Sequence, residues 1–149
     1  MSDERLVAFL NRELSNFTVM YIKLHRFHWY IQGQRFFTLH QFFEDLYAEF
    51  SAHIDVIAER ILAIGGRPLA TMSKFLDVQT LAEATADNEE REILKTLVAD
   101  FTQMSEEIRK IGIPLAEEGQ DAATADYLTG CLKRFDKHKW MLEALLDQR

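Results

Sequence analysis

Apolar residues recur three and four positions apart along most of the chain, a spacing that predicts long amphipathic helices. The first apolar stripe advances by steps of four and three residues through Leu10, Leu14, Phe17, Tyr21, Leu24 and His28. This stripe predicts a helix from about residue 3 to residue 31. His28 is the one polar member of the stripe, so it is expected to face the interior.

A second stripe predicts a helix that begins near Thr38, because Thr38 and Gln41 have the spacing of a capping box. The paired glycines at 65 and 66 are expected to end it. Residues 67–86 form a long connection, in which the stretch 80–83 has the pattern of a cap for a short helix. A connection of this length suits a crossover between helices that are not neighbours in a hairpin.

Two more stripes predict a third and a fourth helix. The third runs from about residue 87 to Gly119, and Gly112 and Pro114 are expected to bend or interrupt it. The fourth runs from about residue 121 to residue 146. We therefore predict an all-α chain in which residues 1–149 form one four-helix bundle. A long crossover carrying a short helix connects its second and third helices.

Composition narrows the classes of partner. The chain has 17 Lys and Arg against 24 Asp and Glu, a net charge of −7, which disfavours nucleic acid and favours metal cations. Its single Cys131 cannot form an intrachain disulfide, so the cysteine count gives no sign of secretion. No apolar run is long enough for a membrane span, and the first residues are acidic. We expect a cytoplasmic protein without a membrane segment.

The second helix carries candidate metal ligands. On a helical projection His40, Glu44, Asp55 and Glu59 share one sector beside the apolar stripe. His40 and Asp55 are nevertheless about 22 Å apart along the helix. If they serve one metal centre, they must come from two chains, and an antiparallel pair of second helices about a two-fold axis would bring them together. His28 lies across a short loop and can join the His40 end.

A plainer interpretation stays open for the same residues. Asp55 can form an ordinary surface ion pair with Arg60 or with a lysine of a neighbouring helix. His28 can be a packed, hydrogen-bonded histidine. His25, His53 and His138 lie outside the constellation and are interpreted as structural.

Four segments resemble the Dps family of mini-ferritins. They are His28-Trp29-Tyr30, Phe37-Thr38-Leu39-His40, the run from Asp55 to Arg60, and Gly65-Gly66-Arg67-Pro68. The resemblance implies a ferritin-like fold and a hollow homododecamer with ferroxidase sites at two-fold interfaces. It implies that His28 and His40 of one subunit, with Asp55 and Glu59 of the partner subunit, are the catalytic metal ligands. Glu44 stands where relatives carry an acidic ligand or a supporting carboxylate.

The resemblance also implies a chemistry. Two Fe(II) ions at a dinuclear site would be oxidised by hydrogen peroxide and stored as a ferric mineral. Trp29 would support the site or donate an electron. Glu44, Asp45 and Glu49 are candidate residues for mineral nucleation. Asp121 and Asp126 are candidate pore residues, although an acidic helix start explains them equally well.

DNA binding is expected to be weak or absent. DNA-binding relatives carry a Lys-rich tail, whereas the first 12 residues here contain no lysine. The alternative function is a nucleoid-associated protein that shields DNA physically. A helical interaction protein without metal is the third possibility, and it predicts no stoichiometric Fe(II) binding.

Overall fold

The computed structural model describes residues 3–85 and 89–146, and the described residues contain helices and no strand. The helices are α1 (Glu4–Tyr30), α2 (Phe36–Ala63), α3 (Met72–Val78), α4 (Glu90–Glu107), α5 (Ile113–Glu118) and α6 (Ala122–Leu146). A π-helical turn, Ile108–Gly112, joins α4 to α5. The prediction of an all-α chain is confirmed. None of the described helices is both long enough and apolar enough to cross a membrane.

The four long helices share one core. α1 packs along α2 and α4 packs along α6, while the short α3 lies against α1. Each long helix contributes one fully buried phenylalanine to a central layer of Phe17, Phe50, Phe101 and Phe135. Ring centroids in contact within this layer are 5.4 to 6.1 Å apart. The four apolar stripes therefore converge as predicted, and aromatic packing joins the two helical pairs.

Helix α2 begins two residues earlier than predicted. The N–H of Phe36 donates to Gly33 O and that of Leu39 donates to Arg35 O, so the chain is already turning before Thr38. Arg35 precedes the helix without a side-chain cap. The predicted capping box at Thr38 is therefore wrong. The predicted end of α2 is confirmed, since Gly65 has a φ of 90°, which favours glycine.

The short helix of the crossover lies earlier than predicted. Thr71 caps α3 by accepting the N–H of Lys74. Residues 80–83 are not helical, and the predicted cap there is wrong. The Thr80 N–H instead donates to the side-chain oxygen of buried Asn16 at 2.8 Å, and its hydroxyl donates to Glu107 at 2.7 Å. These bonds hold the crossover on α1 and α4 and leave Thr80 unavailable as a helix cap.

The third predicted helix is continuous through α4 and α5, with one π-helical turn between them. Its predicted start at Asp87 and Asn88 lies outside the described residues. Pro114 has no N–H to donate to the carbonyl four residues earlier. Beside it, the N–H of Ile113 reaches back five residues to Ile108 O and forms the π-helical turn. This continuous helix ends at Gly119 as predicted.

Gly112 lies inside this turn, where α1 comes close. A Cβ atom placed on Gly112 would overlap Cε2 of Phe9, so any larger residue there would force the buried Phe9 ring to shift. The interruption expected from Gly112 and Pro114 is confirmed as this turn. α6 then follows within one residue of its predicted bounds.

Two acidic side chains meet beneath the crossover. Glu13 of α1 is fully buried and is hydrogen-bonded to Glu107 of α4. Burial first, and then Glu107, raise the pKa of Glu13 well above its usual value. Burial also acts to raise the pKa of Glu107, but hydrogen bonds from Glu13, Thr80 and Gln103 outweigh it and lower that pKa. Glu13 is therefore the protonated partner and Glu107 the ionised one.

We predict that Glu13 makes the free energy of unfolding fall as the pH rises. Because its folded pKa is raised, its contribution to stability is fully present below the unfolded value of 4.5 and is lost as the pH rises through the folded pKa. Between the unfolded value of 4.5 and the folded pKa, the wild type should lose up to about 1.4 kcal/mol of unfolding free energy per pH unit relative to Glu13→Gln, and above the folded pKa the difference should stay constant. Urea unfolding at fixed protein concentration, from acid to neutral pH, measures this loss.

The matched control is Glu92→Gln, since Glu92 is exposed on α4. Its unfolding free energy should follow that of the wild type across the whole pH range. Parallel curves for the wild type and Glu13→Gln would show that Glu13 is not held protonated in the fold.

Candidate metal centre

Two histidines meet where α1 ends and α2 begins. The rings of His28 and His40 stack with centroids 3.6 Å apart and an angle of 13° between their planes. Nδ1 of His28 donates to the backbone oxygen of His40 at 2.6 Å, and Nδ1 of His40 donates to the backbone oxygen of His28 at 2.7 Å. A carbonyl can only accept, so each neutral ring carries its proton on Nδ1. Each Nε2 keeps a lone pair for a metal.

Glu44 lies beside this histidine pair. It follows His40 by one helical turn, and its Oε1 is 3.9 Å from Nε2 of His28. The Glu44 side chain is 46% exposed, so a cation could reach its carboxylate directly from solvent. One chain therefore gathers two imidazoles and one carboxylate near one end of α2.

Asp55 and Glu59 lie far from the histidines, as the helical spacing predicts. Both are exposed on α2 and make no hydrogen bond or ion pair within residues 3–85 and 89–146. Asp55 thus has no ion pair with Arg60 in this part of the chain. Arg60 instead acts electrostatically on Asp121. Although His28, His40 and Glu44 lie near one another, neither they nor any other three His, Cys, Asp or Glu side chains among the described residues of one chain are placed to hold a metal ion.

The surface around the acidic pair is unusually apolar for an exposed helix face. Ala48, Ser51 and Ala52 are exposed and small, and Val56 is 45% exposed. Small side chains allow another helix to approach closely. A chain that buried this face would bring new side chains to Asp55 and Glu59.

Trp29 projects outward beside the histidine pair. Its side chain is 66% exposed, and its indole lies 5.5 Å from the ring of His25. The indole therefore lies next to His25, which precedes His28 by three residues on α1. Its predicted role as a support or an electron donor stays a prediction.

The candidate nucleation residues differ in what already binds them. Asp45 is exposed and accepts one hydrogen bond from Gln41. Glu49 is already paired with three cationic or potentially cationic groups, His53, Arg134 and His138, at 2.7 to 3.1 Å. Its carboxylate is not free to collect Fe(III). Of the three predicted nucleation residues, this geometry favours Glu44 and Asp45 and disfavours Glu49.

The Glu49 cluster also explains two other histidines. Burial acts to raise the pKa of Glu49, but hydrogen bonds from His138, His53 and Arg134 lower it far below its usual value. Nε2 of His53 and Nε2 of His138 bind this carboxylate, whereas Nε2 of His28 and Nε2 of His40 make no hydrogen bond within the described residues. The spacing of Glu49 and His53, four residues apart on α2, is the sequence signal that could have revealed the pair.

The two candidate pore residues have different roles in the fold. Asp121 caps α6, because it accepts the N–H of Thr124 at 3.0 Å and its hydroxyl at 2.6 Å. Burial acts to raise the pKa of Asp121, but these two hydrogen bonds from Thr124, together with the positive charge of Arg60, outweigh it and lower that pKa. Asp126 is exposed and lines the same shallow depression with Glu117. The helix-start explanation accounts for Asp121, while Asp126 stays a candidate for a pore.

Known proteins match this chain over nearly its whole length. The ferritin-like domain family matches residues 7–149. A DNA protection during starvation protein of Brevibacillus brevis is 46% identical over 98% of each chain. DNA protection during starvation protein 2 of Bacillus anthracis is 41% identical over 98% of this chain and 99% of its own length. The crystal structure of Dps from Staphylococcus aureus superposes with a TM-score of 0.95 at 37% identity, covering 99% of both chains.

The fold and its matches define the class first: this is a ferritin-like protein. Within that class the chain belongs to the Dps family. The resemblance drawn from the histidine and acidic segments is confirmed at the level of family and fold.

Proposed function

We propose that the chain is a ferroxidase and iron-storage mini-ferritin whose sites lie between two subunits. The observation that carries this proposal is the reciprocal hydrogen bonding of His28 and His40. In the neutral rings it leaves both Nε2 atoms with a lone pair near one end of α2. Asp55 lies about 22 Å from His40 along the same helix and Glu59 lies one turn further, and neither makes a hydrogen bond or ion pair within the described residues. Each half-site has ligand chemistry, and each lacks the other half.

A two-fold axis joins the halves. In an antiparallel pair of α2 helices, the histidine end of one chain lies beside the acidic end of its partner, which produces two equivalent sites per dimer. The small exposed residues Ala48, Ser51 and Ala52 lie between the two ends and permit this approach. The apolar Val56 would be covered by the same contact.

The two half-sites offer different ligands to a cation. Asp55 and Glu59 are four residues apart, so both carboxylates lie on one helix face and repel each other while bare. A divalent cation between them relieves this repulsion. Two neutral imidazoles complete the ligands without adding charge, and mixed nitrogen and oxygen ligands with open positions suit Fe(II).

Iron is the substrate of the proposed reaction. Two Fe(II) ions give one electron each to hydrogen peroxide, which takes up two protons, and the products are two Fe(III) ions and two waters. Paired transfer avoids the hydroxyl radical that a single electron would release from peroxide. Fe(III) would then collect at exposed acids such as Glu44 and Asp45 and be stored inside a hollow dodecamer.

The second candidate function, physical shielding of DNA, has one observation in its favour. The relatives from Brevibacillus brevis and Bacillus anthracis are named for DNA protection. Charge argues against direct binding, because twelve copies of a chain of net charge −7 carry roughly −84 in total. Iron and peroxide removal protects DNA without contact, so the names fit the ferroxidase proposal as well.

We predict that Asp55→Asn combined with Glu59→Gln slows Fe(II) oxidation by peroxide more than about 100-fold, since even supporting partners of metal ligands are worth 10–100-fold. Stopped-flow absorbance of the ferric product measures the rate, and light scattering checks that the assembly is intact. An anaerobic Fe(II) titration should show the loss of stoichiometric binding.

The matched control is Asp77→Asn with Glu83→Gln, which makes the same charge change at exposed residues of the crossover. This control should oxidise iron at the native rate. A native rate in the Asp55 and Glu59 variant would refute the site, and absence of Fe(II) binding by the wild type would favour a metal-free interaction protein.

We also predict that the assembled protein does not retain duplex DNA in a gel shift at low salt near neutral pH, because the acidic shell repels phosphate. Tight retention under these conditions would restore the DNA-shielding function as the leading candidate.

A further inference from the structure

Tyr47 packs against the histidine pair from α2. Its ring meets the ring of His28 edge to face, with centroids 5.4 Å apart and an angle of 86° between the planes. It follows His40 by seven residues, which places both on the same face of the helix. Tyr47 therefore contacts a candidate ligand of α1 from the helix that carries the other candidate ligands.

His25 holds Tyr47 in place. The two rings stack with centroids 3.7 Å apart at 19°. His25 is itself fixed, because its Nδ1 donates to the backbone oxygen of Tyr21 at 2.8 Å and its ring meets the Tyr21 ring at 4.6 Å. His28 is thus confined by His40 on one face and by an anchored tyrosine at another.

The tyrosine hydroxyl stays protonated beside the site. Desolvation first, and then the charges of Glu44 and Tyr21, raise the pKa of Tyr47. An uncharged phenol adds no competing anion next to His28. The packing contact to His28 comes from the ring, and phenylalanine has the same ring.

We propose that Tyr47 is a positioning residue of the metal centre, whose ring, braced by His25, fixes the orientation of the His28 imidazole toward the ligands of α2. This role rests on the proposed function, since it concerns the same site. The stack with His40 leaves the His28 ring able to slide in the plane of the two rings, whereas the edge-to-face contact with Tyr47 adds a second side chain of α2 against His28. Loss of the ring should loosen His28 without removing any ligand.

The test uses Co(II) as the probe, because its visible absorption reports the geometry of its ligands and needs no turnover. The full assembled protein is titrated anaerobically, and the signal assigned to the centre is the part that His40→Leu removes. We expect Tyr47→Leu to weaken this Co(II) binding by about tenfold, as loss of a ligand's supporting partner does, and to alter its spectrum. Tyr47→Phe should restore both the affinity and the spectrum.

His25→Leu is the second variant, since it removes the brace without changing the exposed face of α2. It should change the Co(II) spectrum in the same direction as Tyr47→Leu. If Tyr47→Leu does not assemble, His25→Leu decides the question alone. Wild-type affinity and spectrum in whichever variant assembles would overturn the positioning role and leave the proposed function standing. A wild-type protein with no Co(II) signal that His40→Leu removes would overturn both.

Discussion

The reciprocal hydrogen bonds between His28 and His40 are the constraint on which the candidate site depends. Each imidazole donates to the backbone oxygen of the other residue, across a connection of only a few residues between α1 and α2. The same two bonds close the first helical hairpin and select the ring tautomer. A structural contact thereby leaves two Nε2 atoms available for chemistry, so folding and ligand preparation are one event.

The rigid geometry of α2 imposes the second constraint. A straight helix keeps His40 and Asp55 about 22 Å apart, whatever the rest of the bundle does. The proposed site, which uses ligands from both ends, therefore needs another copy of the chain, and the exposed small residues between the two ends suit such a contact. Under the proposed function assembly and activity are linked, because one subunit has His28, His40 and Glu44 at one end of α2 and the acidic pair Asp55 and Glu59 towards the other.

The sequence was informative wherever helical spacing determined the outcome. The stripes predicted the four long helices, the Gly65 stop and the distance between His40 and Asp55. Local motifs were less informative. Asn16 and Glu107 bind Thr80 from two other helices, and a local turn that begins at Gly33 starts α2 before Thr38. Tertiary contacts also supply the partners of Glu49, because Arg134 and His138 reach it from a helix 85 or more residues later.

The most direct test of a shared site is complementation between two inactive chains. One chain carries His28→Leu with His40→Leu, the other carries Asp55→Asn with Glu59→Gln, and the two are co-expressed and purified as mixed shells. Random pairing gives one intact site in each mixed dimer, so Fe(II) oxidation should return to about a quarter of the wild-type rate. Mixed shells as inactive as either parent shell would contradict a site built from two subunits.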